Sequence, residues 1–354
     1  MTQGPYPANG HLDATEMLLS AGPLKKDTGV SYTAEEVAKN KWTIIEGEVY
    51  NITDFLDMHP GGKKILMPYL GRDASKAFKN EKIHVHSKRA FNILQSYKIG
   101  TLQGGDVSGK SSYAHPLANL VDFSKPVLTQ VMNMNPKIYQ DWIHGASIGA
   151  KTFRIFDTDF FESMSRYPWW YILPLWLPVI FMLMVNSVVK SSIIATVPSI
   201  IFGFFLWGGI EYVLHRFIFH MESDTPIRNF VHFFAHGIHH IIPLDPSRLT
   251  FPPSFAIPLI FGIYQIVSHC TLYIPSLEGV MAGALFGYVS YDTMHYYFHH
   301  GERFRSVQYF NYMKKRHTDH HYKCPENNFG VTTPLFDWFF GTSYQYEPVS
   351  HGNS

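Results

Sequence analysis

A chain of 354 residues can hold one to three domains, and a formal net charge of +1 gives no basis for nucleic-acid binding. Aromatic and charged residues each make up 16%, a composition that leans toward membrane without being uniformly apolar. With two cysteines, Cys270 and Cys324, neither a disulfide framework nor a thiolate metal site can be built.

Residues 1–27 are small and polar, with Gly and Pro, and read as a mobile tail. The opening MTQGPYPANGHLDATE has no basic stretch followed by an apolar run, so no secretory signal is expected there. The next block, 28–103, is soluble in character. Ser31 or Thr33, followed by Glu35 and Glu36, predicts a helix start. Residues 42–50 alternate and turn at Gly47, a β-hairpin pattern. Then come His59-Pro60-Gly61-Gly62, an apolar helix, and two more histidines, His84 and His86. A His before Pro-Gly-Gly by itself marks no more than a turn. With a strand pair before it and a helix after it, the block resembles cytochrome b5. The resemblance implies a small α+β domain holding haem b between two axial histidines. His59 matches the first; His84 and His86 compete for the second, and Val85-His86-Ser87 fits the family pattern better. Two histidines fill both axial positions, which favours electron transfer over oxygen activation.

Residues 104–112 (GGDVSGKSS) predict a flexible linker within a tether over 104–135, and 122–144 show no clear helix or strand period. Residues 154–170 mix charges with Phe, Tyr and Trp, as a membrane-interface helix does. Residues 169–189 and 193–214 are apolar and long enough to span a bilayer, while 251–272 and 277–292 are weaker. Internal prolines such as Pro178 and Pro198 do not veto a span. The expectation is four spans in two hairpins. An even count puts the segments after the second and fourth spans on one side, together with the N-terminal block. Arg216, Arg228, Arg248, Arg303, Arg305 and Lys314 to Arg316 flank that side, which makes it cytosolic.

Residues 211–322 carry thirteen of the twenty histidines. Twelve of them come in bursts: His215 and His220; His232, His236, His239 and His240; His295, His299 and His300; His317, His320 and His321. One histidine in a core needs no explanation, but four bursts at near-helical spacing would bury many costly imidazoles unless something binds them. Neutral imidazole is the commonest metal ligand. Residues three and four apart share a helix face, so His236/His239/His240 and His317/His320/His321 are three-pronged sets and His295/His299 a two-pronged one. His215 and His220, five apart, stand about 140° around an ideal helix and need a helix end or a distortion to converge. So many ligands point to two metals. Spacing alone leaves His232 and His300 open.

HRFIFH, HGIHH, HYYFHH and HTDHH resemble the histidine boxes of the membrane fatty acid hydroxylase superfamily, with the similarity running over 122–344. The resemblance implies His215, His220, His236, His239, His240, His295, His299, His317, His320 and His321 as ligands, with His232 and His300 as neighbours. It implies an all-α membrane domain over 136–354 with a cytosolic histidine-rich cap. Iron is expected for activity, and zinc is a possible occupant because it outranks ferrous iron in affinity. A fused b5 domain is similar to the fatty acid 2-hydroxylases that act on sphingolipid acyl chains. They act with molecular oxygen on a free acid, an acyl-CoA or a ceramide-bound chain, in the endoplasmic reticulum membrane. An NAD(P)H-dependent cytochrome b5 reductase is the implied electron source. The alternatives are a histidine-box desaturase or sterol oxidase, and a membrane haem carrier with a structural metal. Asp292, Glu211 and Asp319 are the carboxylates expected to orient the rings. Phe204, Trp207, Phe298 and Phe329 are expected along a lipid groove.

Overall fold

In the computed structural model, which describes residues 29–56, 58–80, 86, 88–105, 120–145, 152–269, 276–300, 304 and 306–345, the N-terminal unit grows from short-range signals. Strand β1 (Ser31–Tyr32) leads into helix α1 (Ala34–Asn40) through a capping box. The Thr33 backbone N–H donates to Glu36 Oε2 at 2.8 Å and the Glu36 N–H to Thr33 Oγ1 at 3.2 Å, satisfying two of the helix's orphan donors. Strands β2 (Thr43–Ile45) and β3 (Glu48–Tyr50) form the expected hairpin. Its two turn residues, Glu46 and Gly47, both have positive φ (52° and 75°), the twist that a two-residue hairpin needs. Helices α2 (Lys63–Leu66), α3 (Ser75–Phe78) and α4 (Lys88–Ser96) follow, then β4 (Lys98–Leu102). The sheet order is β1-β4-β3-β2, with β1 parallel to β4 and the other pairs antiparallel. Ile45, Tyr50, Ile52 and Ala74 form a core toward the His59 side, and Val37, Ile44 and Val49 form another. The tail at 1–27, residues 106–112 of the linker, His84, Cys270, Arg303 and Arg305 lie outside the described residues.

The second unit is helical. Residues 122–144, which lack a readable period, contain two helices, α5 (Val127–Met132) and α6 (Pro136–Gly145). Their apolar positions are fully buried: Val127, Val131, Tyr139 and Trp142 share one core with Phe233 and Ile241. Residues 154–170 form only a short helix, α7 (Asp159–Met164), rather than one long interface helix. Glu162 folds back to accept the N–H groups of Ile155 (2.9 Å) and Phe156 (3.0 Å), which keeps that stretch extended. Phe160 and Phe161 stay exposed.

A turn at Trp169–Tyr171 then opens α8 (Ile172–Lys190), followed by α9 (Ile193–Val213). By length and composition two helical stretches can cross a membrane, Trp169–Lys190 and Ile193–Phe219. Among the described residues, α10 (Pro226–His232), α11 (Ile238–Ile241), α12 (Pro253–His269), α13 (Leu277–His299), α14 (Gln308–Tyr322) and α15 (Leu335–Phe339) complete the chain. Helix α12 is described over 17 residues, and α13, though 23 residues long, is not apolar enough, so neither passes the same test.

Helices α9 and α13 touch backbone to backbone. A Cβ on Gly203 would meet Val280 O at 2.0 Å, and one on Gly283 would meet Ile200 O at 2.0 Å. No side chain fits there, as in other close helix crossings between small residues. Gly283→Ala must push the helices apart. It should cost at least roughly 1–3 kcal/mol, read as a lower thermal midpoint of the detergent-solubilised chain. An unchanged midpoint would mean that the two backbones do not cross at that point. This crossing holds the ends of α9 and α13, and so the histidines on them, in register.

Candidate metal centre

Each histidine is placed by a helix end. Helix α9 runs on into a π-helical turn, Leu214–Phe219, in which the His220 N–H bonds to His215 O at 3.1 Å. That widening brings residues five apart to one side, the distortion that the His215/His220 spacing demands. A second π-turn, Phe233–Gly237, sets His236 ahead of His239 and His240 on α11. His295 and His299 sit at the end of α13, and His317, His320 and His321 on α14.

The rings converge in two groups. His239, His295, His299, His317 and His321 offer nitrogens all within 4.8 Å of one another, and so do His215, His220, His236 and His320. In the first group, His239 Nε2 lies 2.8 Å from both His295 Nε2 and His321 Nε2, and His299 Nε2 lies 2.8 Å from His317 Nε2. In the second, His215 Nε2 and His236 Nε2 are 3.1 Å apart. The three-pronged sets do not stay together: His236 separates from His239, and His320 from His317 and His321. His240 stands between the groups, its ring centroid 4.5 Å from both His236 and His321.

Electrostatics favours the ligand form. Burial, and then the neighbouring rings, push the pKa values of His236, His239, His317 and His321 well below the ordinary imidazole value. Neutral rings keep a lone pair for a metal. Several rings are oriented by backbone carbonyls through Nδ1–H: His215 donates to Phe329 O at 2.5 Å, His320 to Asn327 O at 2.8 Å and His295 to Leu249 O at 3.2 Å. A ring that donates through Nδ1 presents its Nε2 lone pair on the other side. Nitrogens bound at about 2.0–2.1 Å to one ion sit roughly 3 Å apart, close to the spacing here. The donor set fits two metal ions.

In the N-terminal unit, His86 donates Nδ1–H to Phe78 O at 3.1 Å and stacks on the Phe78 ring at 4.2 Å, which leaves Nε2 as its metal-binding atom. His59 packs edge-on against Phe55 at 5.7 Å. A Cβ at Gly61 would press on the His59 ring at 3.0 Å, so the Pro-Gly-Gly step clears space for that imidazole. Both histidines are half-buried, as haem ligands lining a cleft would be.

Residues 32–103 match the family of cytochrome b5-like haem/steroid binding domains, and 200–342 match the fatty acid hydroxylase family. A fatty acid 2-hydroxylase of Macaca fascicularis is 32% identical over 351 residues, covering 87% of this chain and 92% of its own. The chain belongs to the fatty acid 2-hydroxylase family. A ceramide very long chain fatty acid hydroxylase of Saccharomyces cerevisiae is 30% identical over 352 residues, 86% of this chain and 91% of its own. A dihydroceramide fatty acyl 2-hydroxylase of Arabidopsis thaliana is 36% identical over 223 residues, 63% of this chain and 92% of its own. The solved structure of full-length scs7p, in which only the hydroxylase domain is visible, superposes with a TM-score of 0.59 at 32% identity. It covers 64% of this chain and 87% of that one.

In this hydroxylase Asp292 and Glu211 act one step further out than expected. Asp292 accepts the Phe251 N–H at 3.4 Å, bracing the segment whose Leu249 carbonyl holds His295. Glu211 accepts from Val331 N (2.5 Å), Thr332 N (2.9 Å) and the Thr332 hydroxyl. Asp319 pairs with Lys323 at 2.9 Å and Lys315 at 3.4 Å. Two neighbours also find roles in packing. His232 Nδ1 bonds the buried Tyr139 hydroxyl at 2.6 Å, tying α6 to the histidine helices, and His300 stacks on Tyr296 at 4.9 Å. No sequence signal marked Tyr139. Of the aromatics expected along a groove, Phe329 packs on His215, His220 and His320, and Phe298 on His317. Trp207 packs instead on Tyr288 and Tyr291, while Phe204 remains partly exposed.

Proposed function

We propose that the chain hydroxylates fatty acyl chains of sphingolipids at the carbon alpha to the carbonyl, as an oxygen-dependent oxidoreductase with a built-in electron donor. The observation that carries this reading is two groups of converging, largely buried imidazoles in one chain with a b5 unit. The names of its relatives, fatty acid 2-hydroxylases and ceramide hydroxylases, support the substrate class. His59 and His86 would hold haem b. His215, His220, His236 and His320 would hold one metal ion, and His239, His295, His299, His317 and His321 the other, with His240 available to either. A redox-active pair, iron rather than zinc, would supply the oxygen chemistry. Imidazoles suit such a site because, unlike thiolates, they survive it unoxidised.

The chain's own contribution is orientation and dryness. Carbonyls of Leu249, Asn327 and Phe329 fix three rings, and the Phe298 and Phe329 side chains cover imidazoles of the two groups. Excluding water there protects a demanding oxidation from side reactions. The units would divide at 28–103 and 136–354. The reading includes four spans in the endoplasmic reticulum membrane, with the haem unit and histidines toward the cytosol and a b5 reductase as outside donor. The substrate would be a free acid, acyl-CoA or ceramide-bound chain. Deleting the gene should remove 2-hydroxylated sphingolipids from whole-cell lipid mass spectra, and the wild-type gene should restore them. Unchanged 2-hydroxy species in the deletion would refute the assignment.

A further inference from the structure

The loop between α14 and α15 carries the carbonyls that orient two of the four rings in the smaller histidine group. His215 donates to Phe329 O and His320 to Asn327 O. What holds this loop is a buried carboxylate none of whose bonds reaches a ring. Asp337, fully buried, accepts the Phe329 N–H at Oδ1 (2.9 Å), the Gly330 N–H at Oδ2 (2.9 Å) and the Thr342 hydroxyl at Oδ1 (2.8 Å). Arg316, on the helix that bears His317 and His320, donates to Asp337 Oδ2 at 2.9 Å. The loop is also pinned at its next two residues by Glu211, four positions before His215. Asn328, between the two residues whose carbonyls accept from the rings, is held at φ 60°, with its amide donating to Arg316 O (3.3 Å) and accepting from Tyr344 N (3.0 Å). A left-handed asparagine is uncommon and persists where surrounding bonds over-determine it.

We infer that Asp337 is a positioning residue for one metal site: it locks residues 327–332 so that two carbonyls hold His215 and His320 with Nε2 facing the group. The larger group does not share this support, because His295 rests on Leu249 O in a different segment. Asp337 therefore acts chiefly on the four-histidine site; its one link toward the larger group is the Arg316 pair, on the helix that also carries His317 and His321. This rests on the proposed two-metal function but predicts binding, not turnover.

The test is metal content per full-length chain, purified with its metals and titrated with a chelator. Asp337→Asn removes one acceptor and keeps the volume. It should weaken one of two bound metals by about 10–100-fold, the cost typical of losing a ligand's outer partner. Combined with His295→Ala, it should leave the chain nearly metal-free. Combined with His220→Ala, it should change nothing beyond the single histidine variant. The haem absorption and helical circular dichroism report folding. Two metals at wild-type affinity in Asp337→Asn would overturn the inference, and so would the joint loss of both. Should that variant fail to fold, Thr342→Val removes one donor to the same carboxylate. A selective, smaller weakening would then support the inference, and wild-type affinity at both sites, or equal weakening of both, would overturn it. A wild type that holds two metals yet makes no hydroxylated lipid would refute the proposed function and leave this inference standing.

Discussion

Replacing His239 by alanine is expected to abolish hydroxylation and empty one metal site. His239 Nε2 approaches two other ring nitrogens of the larger group at 2.8 Å, so its loss opens the middle of the donor set. Losing an outer partner of a ligand already costs 10–100-fold, so losing a ligand should take 2-hydroxylated product below about one-hundredth of wild type. Alanine is a good helix former, and α11 should persist. Product measured by mass spectrometry and metal measured on the same preparation separate the causes. More than about a tenth of wild-type product, with both metals kept, would remove His239 from the ligand set.

His59→Ala should produce the complementary loss. The chain should purify without haem absorption while its metal content stays at the wild-type level, because the histidine groups lie in another unit. A fused donor acts at a millimolar effective concentration, whereas a free carrier in an assay is present at micromolar levels. Turnover with reductase and free carrier should therefore fall on the order of 1000-fold. A matched rescue would add micromolar free b5 and restore only that residual rate. Full activity in the haem-free variant would show that electrons reach the histidine centre by another route.

Short-range chemistry made much of this protein legible from its residues. The Thr33 capping box, the hairpin turning at Gly47, the Pro-Gly-Gly step after His59 and the two long apolar runs each depend on a few neighbouring side chains. Nine of the ten expected ligands do meet in the two groups, and His240 lies between them. The helices at 127–145 stayed hidden because their buried faces are set against Phe233 and Ile241, a hundred residues away, rather than by a repeating local pattern.

Local spacing alone tells which residue types stand on which helix face. How the histidines divide emerges only from long-range packing, because the split between His317 and His320 depends on where the other histidine-bearing helices approach α14. The same packing decides what orients the rings. The sequence pointed to carboxylates near His215 and His295, yet the donors from those rings end on the carbonyls of Phe329 and Leu249. Every residue has a carbonyl, so no side chain announces the one that matters until the fold brings it to a ring.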